Sequence, residues 1–499
     1  MRKFVTLFTV LMITGMLAYS QSRTITGNIV DGLGNGLANV SVVVKGTTTG
    51  TTSNESGAYS LSVPSSTKSL VFSAVGFSAQ EIKVGLADSY RVEMKAVDNT
   101  MQEVVIVAYG SQKKLSLTGS VATIKADKLE NRPFSSVDKA LQGQVAGLQS
   151  SSSDGTPGAG TDIRIRGTGS ITAGQSPLWV IDGIIATTGD LTSNTTTANA
   201  LSGLNPDDIE SISVLKDASA SAIYGSRAAN GVILVTTKSG KAGKTKVNFS
   251  TEIGQSSIAY TNTKNRPMTT LENQKVLRQA LINKGYADDN AEADAVIIDP
   301  DGLGFDPNWL QTNTNWLDQV TRKGNQQQYN LSLSGGNDKT QFYASGGYFD
   351  QGGTTIATYF KRYNGSISLS TKVSDKIVFK AGINGSASTQ LSPPGSAAYA
   401  SPVSGSFFLQ PWYSPYNADG TFRYNDPEGQ FPEGSQFNPV LLAAWNKSTA
   451  KQMELRGYVS GEYQISRNLK FSSKYSGEYL DVDEYQYQNP IYGDGFPGG

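Results

Sequence analysis

Met453-Glu454-Leu455-Arg456-Gly457-Tyr458-Val459-Ser460-Gly461-Glu462-Tyr463 and Leu469-Lys470-Phe471-Ser472-Ser473-Lys474-Tyr475-Ser476-Gly477-Glu478-Tyr479 share one two-residue rhythm. In the first, Met453, Leu455, Val459 and Tyr463 oppose Glu454, Arg456, Ser460 and Glu462. In the second, Leu469, Phe471, Tyr475 and Tyr479 oppose Lys470, Ser472, Lys474 and Glu478. Side chains alternate faces only along a strand, so both runs read as β. The short Ser466-Arg467-Asn468 between them makes a hairpin. Moving towards the N-terminus, residues 363–370 and 329–334 repeat the pattern, with tight turns at Ser374-Asp375 and Asn337-Asp338-Lys339. With a strand near 246–254, about seven strands are expected.

A half-buried soluble sheet also alternates, so the connections have to decide. Between the tight turns run long links, about 257–327 and 391–450. Tight turns at one end and long loops at the other are what an outer-membrane barrel requires. Links of this length are unusual inside a compact soluble domain. The N-terminus agrees. Arg2 and Lys3 precede an apolar run from Val5 to Leu17, and Ala18-Tyr19-Ser20 reads as a cleavage site, so 1–20 is an export signal. That run is too short to span a bilayer as a helix. No later stretch is apolar enough for a membrane helix, so insertion must use strands.

Composition narrows the chemistry. The chain of 499 residues has no Cys and no His, which excludes disulfides, Cys/His zinc clusters and imidazole-based triads. Lys+Arg 42 against Asp+Glu 42 leaves no electrostatic footprint for nucleic acid. Three motifs fail on inspection. Gly243-Lys244-Thr245 lacks the upstream Gly of a phosphate loop. Asp299-Pro300-Asp301-Gly302 lacks the remaining calcium-ligand spacing. Asp288, Asp289, Glu292 and Asp294 read as a solvated acidic loop. No metal or cofactor is expected.

Ahead of the barrel lie two segments. Residues 22–97 hold short strands at 24–30, 40–46, 58–63 and 69–72. Turns at Asp31-Gly32-Leu33-Gly34-Asn35-Gly36 and Asn54-Glu55-Ser56-Gly57 separate them, predicting a small antiparallel sandwich. Residues 101–240 mix helix and strand. Val137, Ala140, Leu141 and Val145 share one helical face. Asn205-Pro206-Asp207-Asp208 starts a helix, and Asp217 caps another that runs to Tyr224 and ends at Gly225. Residues 212–215 and 232–237 are strands.

These segments carry family motifs. Gly27-Asn28-Ile29-Val30-Asp31, Val42-Val43-Val44-Lys45-Gly46, Gly57-Ala58-Tyr59 and Val75-Gly76-Phe77 resemble the carboxypeptidase regulatory-like domain, a name that implies no peptidase activity. Ile163-Arg164-Ile165-Arg166-Gly167, Pro177-Leu178-Trp179-Val180-Ile181-Asp182-Gly183 and Ile209-Glu210-Ser211-Ile212-Ser213-Val214-Leu215-Lys216-Asp217 resemble the plug domain of TonB-dependent receptors. So does Ala220-Ser221-Ala222-Ile223-Tyr224-Gly225-Ser226-Arg227-Ala228-Ala229-Asn230-Gly231-Val232-Ile233. Together they resemble the SusC/RagA group of TonB-linked outer-membrane transporters.

That resemblance implies a mainly β fold: an N-terminal β-sandwich (22–97), an α+β plug with its TonB-box region (101–240), and the first strands of a 22-stranded transmembrane barrel (246–499). The barrel would be incomplete, because seven strands do not close and the chain ends on Gly495-Phe496-Pro497-Gly498-Gly499, a loop. It implies nutrient import, of glycan or peptide oligomers, with a SusD-like surface lipoprotein, the TonB-ExbB-ExbD complex and outer-membrane lipid as partners. The scant chain before the first sandwich strand implies no added signalling domain.

Met101-Gln102-Glu103-Val104-Val105-Ile106-Val107-Ala108-Tyr109-Gly110 resembles the TonB-box region. Glu103, Val104, Val105, Ile106 and Val107 would contact TonB by β-augmentation, form an ordinary plug strand, or do both in turn as a strand released on ligand binding. Arg164, Arg166, Glu210 and Arg227 would make ionic plug–barrel contacts, or serve local turn and cap chemistry; Asp182-Gly183 reads as a turn. Residues 406–433 are rich in aromatics, among them Trp412, Tyr413 and Tyr416, which suit ligand capture, self-packing or an interfacial belt. Two rivals remain. One is a siderophore or cobalamin receptor; the other is an exported hydrolase built on carboxylates.

Overall fold

The computed structural model describes residues 22–32, 34–65, 67–74, 77–95, 104–107, 110–113, 121–129, 134–152, 155–170, 174–192, 198–217, 221–259, 266–299, 303, 308–393, 401–424 and 437–493. The export signal expected at 1–20, and Val75 and Gly76 of the sandwich motif, lie outside them. The chain separates into two compact units that divide near residue 104.

The first unit holds strands β1 (Ser22–Val30), β2 (Ser41–Val44), β3 (Gly50–Thr52), β4 (Ala58–Pro64), β5 (Ser69–Ser73), β6 (Gln80–Lys83) and β7 (Ser89–Glu93). They form two sheets, β4-β1-β7 and β3-β2-β5-β6. β4 alternates strictly, with Tyr59, Leu61 and Val63 buried. They meet Ile25, Ile29, Val42, Leu70, Phe72 and Val92 in one core. The turn between β3 and β4 forms where expected: the Asn54 side chain accepts from the amides of Ser56 and Ala58, and Gly57 takes φ +81°. One expectation needs correcting. The sandwich is not wholly antiparallel, because β7 pairs parallel to β1. The chain makes the β5–β6 hairpin in the opposite sheet before it returns.

The second unit begins with β8 (Val104–Val107) and β9 (Gly110–Lys113), a two-stranded sheet. The plug follows, with β10 (Val121–Lys125), β11 (Leu148–Ser152), β12 (Thr161–Ile165), β13 (Leu178–Ile181), β14 (Ile184–Ile185), β15 (Ile209–Leu215) and β16 (Val232–Thr237). Five of these form one sheet in the order β10-β15-β16-β13-β14. β13 and β16 read as unbroken apolar runs because both faces are covered. Trp179, Ile181, Ile233 and Val235 enter a core with Leu141, Ile209, Ile212 and Val214. Leu178, Val180, Val232 and Leu234 pack on the other side with Leu215.

The helix expected at 205–208 is a single turn, Pro206–Asp208, capped by Asn205, after which the chain extends at once into β15. Asp217 pairs with Arg166 at 2.5 Å; residues 218–220, where the helix expected after Asp217 would begin, lie outside the described residues, and the helical turns at Ala222–Ala228 are interrupted at Gly225, whose φ is +70°.

The barrel wall is a seven-stranded antiparallel sheet in sequence order: β17 (Gly243–Ser256), β18 (Gly324–Gly336), β19 (Thr340–Gly352), β20 (Tyr359–Ser374), β21 (Ile377–Ser392), β22 (Lys447–Ser466) and β23 (Leu469–Tyr487). Its alternation is inverted relative to a soluble sheet. Ile367, Leu369, Ile383, Leu455, Val459 and Tyr475 are exposed, whereas Ser366, Ser368, Gln390, Gln452, Glu454 and Arg456 are buried. The apolar face turns outward, which suits lipid and not water. Tyr329, Tyr348 and Tyr363 sit side by side across three strands, with ring centroids 6.4 and 4.9 Å apart. Immediately beyond them, Asp350 pairs with Lys361 at 3.5 Å. From Tyr363 to Val373, at about 3.3 Å per residue and a tilt of about 45°, the apolar band is ~23 Å tall.

The tight turns fall at 337–339, 375–376 and 467–468 as expected. The links at 257–323 and 393–446 are long, whereas that at 353–358 is short. The long links are not simple loops. They hold helices Thr270–Lys284, Asn290–Ile298, Trp316–Val320, Pro402–Phe408 and Pro439–Trp445. The acidic cluster is likewise structured: Asp289 caps Asn290–Ile298 by accepting from the Glu292 amide, and Asp294 pairs with Arg278.

The outward face yields a test. Val459 lies near mid-band opposite Tyr475, so Val459→Arg should cost the folded wall about 2–4 kcal/mol. Heat-modifiable gel mobility in the full-length protein should be lost. Lys451→Arg, at the exposed rim of the same strand, should leave mobility unchanged.

Candidate functional site

The candidate site is the seam where the plug meets the inner face of the wall. Its plug side is two short helical turns, Ala200–Gly203 and Pro206–Asp208, capped by Asn199 and Asn205. Turns this short leave carbonyls without intrahelical partners. Wall side chains supply the donors. Arg362 of β20, 1 % exposed, donates from Nη1 to the carbonyls of Ser135 (2.8 Å), Ser202 (3.0 Å) and Leu204 (3.4 Å). Its Nη2 donates to Asn205 Oδ1 at 3.4 Å. Gln452 donates to the Ala200 carbonyl at 3.1 Å, and Gln390 to that of Pro157 at 2.8 Å.

The two plug carboxylates at this turn also face the wall. Asp207 accepts from Gln328 at 2.7 Å and from Asn330. Asp208 accepts from the Tyr343 hydroxyl at 2.9 Å and from Asn364 at 3.3 Å. The hydrogen bonds of Arg362 all go to neutral acceptors, and Asp208 and Asp207 balance its charge through space. Burial pushes the Asp208 carboxyl above the usual carboxylate range, against the Tyr343 hydrogen bond and the charges of Lys238 and Arg362. Removing one partner of such a buried set typically costs about 3–5 kcal/mol, because the other charge is left uncompensated.

A second contact lies at β23. Asp182 has φ +49° and Gly183 φ +80°, which makes the expected turn. The Asp182 carboxylate accepts from the amide (2.9 Å) and hydroxyl (2.7 Å) of Thr237, while its carbonyl accepts from Lys474. Burial raises the Asp182 carboxyl, with the Thr237 bonds opposing. Thr187 donates to Glu478 through its amide (3.1 Å) and hydroxyl (2.8 Å). Glu478 also accepts from Arg456 Nε at 2.7 Å, and Arg456 pairs with Glu454. Two glycines let the surfaces close. A Cβ on Gly203 would collide with Glu454 and Ser386, and one on Gly158 with Phe360.

The residues singled out in the sequence are distributed differently. Arg166 pairs with Asp217 inside the plug, and Glu210 with Lys241 at 3.2 Å, just before β17. Arg164 and Arg227 are exposed. Val104, Val105, Ile106 and Val107 form β8, outside the five-stranded plug sheet; Glu103 lies outside the described residues. Trp412 is buried edge-on against Trp309 at 5.0 Å, which commits its ring to a core. Tyr413 is partly buried beside it, and Tyr416 stacks on Phe422 at 5.5 Å. Sequence reasoning missed Arg362, Gln390, Gln452 and Tyr343. One signal was available: Arg362 shares the inward parity of Asn364, Ser366 and Ser368, a charge in a row of small polar residues.

A plug bonded to the inner face of a lipid-facing strand wall is the architecture of a gated outer-membrane transporter. Comparison with known proteins agrees. Residues 113–232 match the TonB-dependent receptor plug domain, and 25–106 the CarboxypepD_reg-like domain. The chain is 31% identical to TonB-dependent receptor P3 of Formosa agariphila over 99% of its own length and 46% of that protein. It is 32% identical to TonB-dependent receptor SusC of Bacteroides thetaiotaomicron, over 95% of this chain and 47% of that one. Among solved structures it is similar to the RagAB peptide importer in the open-open state: TM-score 0.61, 26% identity, 76% of this chain and 42% of that chain. The chain belongs to the SusC/RagA-type TonB-dependent outer-membrane transporters, a family of transport proteins and not of enzymes. It spans about half the length of the curated relatives it matches.

Arg362→Met removes the donor to three plug carbonyls and the cation facing Asp208. It should lower plug stability by about 3–5 kcal/mol, read as lost protease protection of the plug in the full-length protein. Combined with Asp208→Asn, the loss should be smaller than the sum of the two single effects. Strict additivity would show that the two groups act independently.

Proposed function

We propose that the full-length protein imports polar oligomers, glycan or peptide, across the outer membrane, with the plug as gate and the TonB-ExbB-ExbD complex as energy source. The observation that carries this is the seam: a folded plug held to the wall by side-chain hydrogen bonds and buried charge, with no strand pairing between them among the described residues. Such a joint opens and re-forms without unfolding the wall. Family membership supports the same reading, since the relatives include SusC and an importer of peptides.

In this reading β8 is the handle. Val104, Val105, Ile106 and Val107 form an extended, β-branched strand in a sheet of its own. Such a strand suits edge pairing with a TonB segment, with Glu103 flanking it. The long links would face the exterior and receive substrate from a SusD-like lipoprotein, and Tyr413 and Tyr416 would offer aromatic surface there. Arg164, Arg166, Glu210 and Arg227 would add contacts to wall strands beyond the seven described.

Replacing Ile106 by Pro removes a backbone donor in the middle of β8. Growth on the imported oligomer should fall to that of a strain lacking TonB, while binding of the oligomer to intact cells persists. Growth at the natural rate would remove β8 from the energy pathway.

A further inference from the structure

The plug carries a cavity of its own. About 130 Å³ in volume, it is lined by plug residues alone, from β12, β13 and the segments around Asp138, Asp190 and Asn199. That is room for a cluster of waters or for one long side chain. Its apolar surface comes from Ile163, Trp179 and Leu201, where the main plug core reaches the cavity. Its charged surface is Asp138, Asp162 and Asp190, with no Lys or Arg in the lining. Asp138 is 2 % exposed and accepts from the Thr161 amide (2.8 Å) and hydroxyl (2.9 Å) and from Asn199 Nδ2 (3.0 Å). All three donors are neutral. Among the described residues, none of the three carboxylates has an ion-pair partner. Like charges around one cavity raise one another's electrostatic cost, and an entering cation relieves it.

The cavity also adjoins both places where the wall grips the plug. Asn199 caps the turn whose Ala200 and Ser202 carbonyls accept from Gln452 and Arg362. Thr188 follows Thr187, which donates to Glu478. Gln452 lies near the start of β22, just past the 393–446 link, so this end of the cavity lies towards that link. We propose that the cavity is a subsite for one basic side chain, lysine or arginine, of an imported peptide. The methylene stem lies against Trp179 and Leu201, and the ammonium or guanidinium meets the carboxylates. Long basic side chains divide themselves in this way at any boundary between apolar and polar surroundings. An anionic unit is repelled, and a neutral sugar leaves the carboxylates uncompensated. The assignment rests on the import reading above and favours, among its cargoes, peptides that carry a cation.

The probe is a short fluorescent peptide, acetylated so that one lysine is its sole cation. Norleucine in place of that lysine keeps the stem and removes the charge; glutamate reverses it. Binding is measured on the full-length protein in outer-membrane vesicles, with a neutral glucan oligomer as competitor. The lysine peptide should bind several-fold more tightly than the norleucine peptide, and the glutamate peptide most weakly. Added salt should shrink the lysine advantage. Asp162→Asn combined with Asp190→Asn, two exposed positions outside the seam, should remove most of it. The chain has no Cys, so Ser176→Cys places a single thiol in the cavity lining. The lysine peptide should slow its labelling by maleimide, and the norleucine peptide should not. Equal binding of lysine and norleucine peptides would overturn the proposal, and this comparison needs no variant. A lysine advantage that survives the double variant, a thiol unprotected by bound lysine peptide, or displacement by the glucan would overturn it too. Uptake of the lysine peptide that ignores an uncoupler of the proton gradient would instead sink the import reading, and the binding contrast would still decide the site.

Discussion

The architecture turns on one buried cation. Arg362 is 1 % exposed, and its guanidinium reaches from the wall to carbonyls in two separate plug segments, at Ser135 and at Ser202 and Leu204. A guanidinium is suited to this because it offers five donors in a fixed planar fork and stays charged. Its neighbours follow from that placement. Asp207 and Asp208 supply compensating charge, Tyr343 and Asn364 hold Asp208, and Gly203 lets the backbone approach. A joint of this kind is specific in geometry, with wall side chains bonded to plug carbonyls and side chains, so it joins two folded bodies without merging their sheets.

The wall that carries Arg362 obeys a different constraint. In hydrocarbon every backbone polar group needs an internal partner, so spanning strands must pair throughout and turn apolar side chains outward. The register shows this: Phe249 opposes Leu331, Ile367 opposes Ile383, and Val459 opposes Tyr475 on the outer face. The Tyr329–Tyr348–Tyr363 ladder and the Lys361–Asp350 pair above it mark one edge of the band. The inner face is thereby left polar, which is the condition for a hydrogen-bonded seam.

The long links are ordered by cores of their own. Trp309 packs edge-on to Trp412, and Trp316 donates to the Gln410 carbonyl at 2.9 Å. Past β23, the Tyr492 hydroxyl accepts from the Asn438 amide at 2.6 Å. Residues from the links after β17, β21 and β23 therefore support one another. That packing also explains why Trp412 serves as core: a large ring beside a second tryptophan buries more area in packing than it could offer to solvent.

Much was legible in the sequence because local rules act locally. Alternation at 453–463 and 469–479 and tight turns near 338, 375 and 467 specify strands and register in any surroundings, and seven strands appear as expected. Glycine and asparagine at Asn54 to Gly57 specify a turn through their own hydrogen bonds. The plug motifs identified the domain, but the roles of their charged residues did not follow. Arg166 and Asp217 found each other, and Arg362 became the wall's contact to the plug, because burial and distance depend on which distant segment lies opposite. Parallel pairing of β7 with β1 and helices within the links are likewise products of tertiary assembly. They arise from long-range pairing and packing, which no short window of sequence encodes.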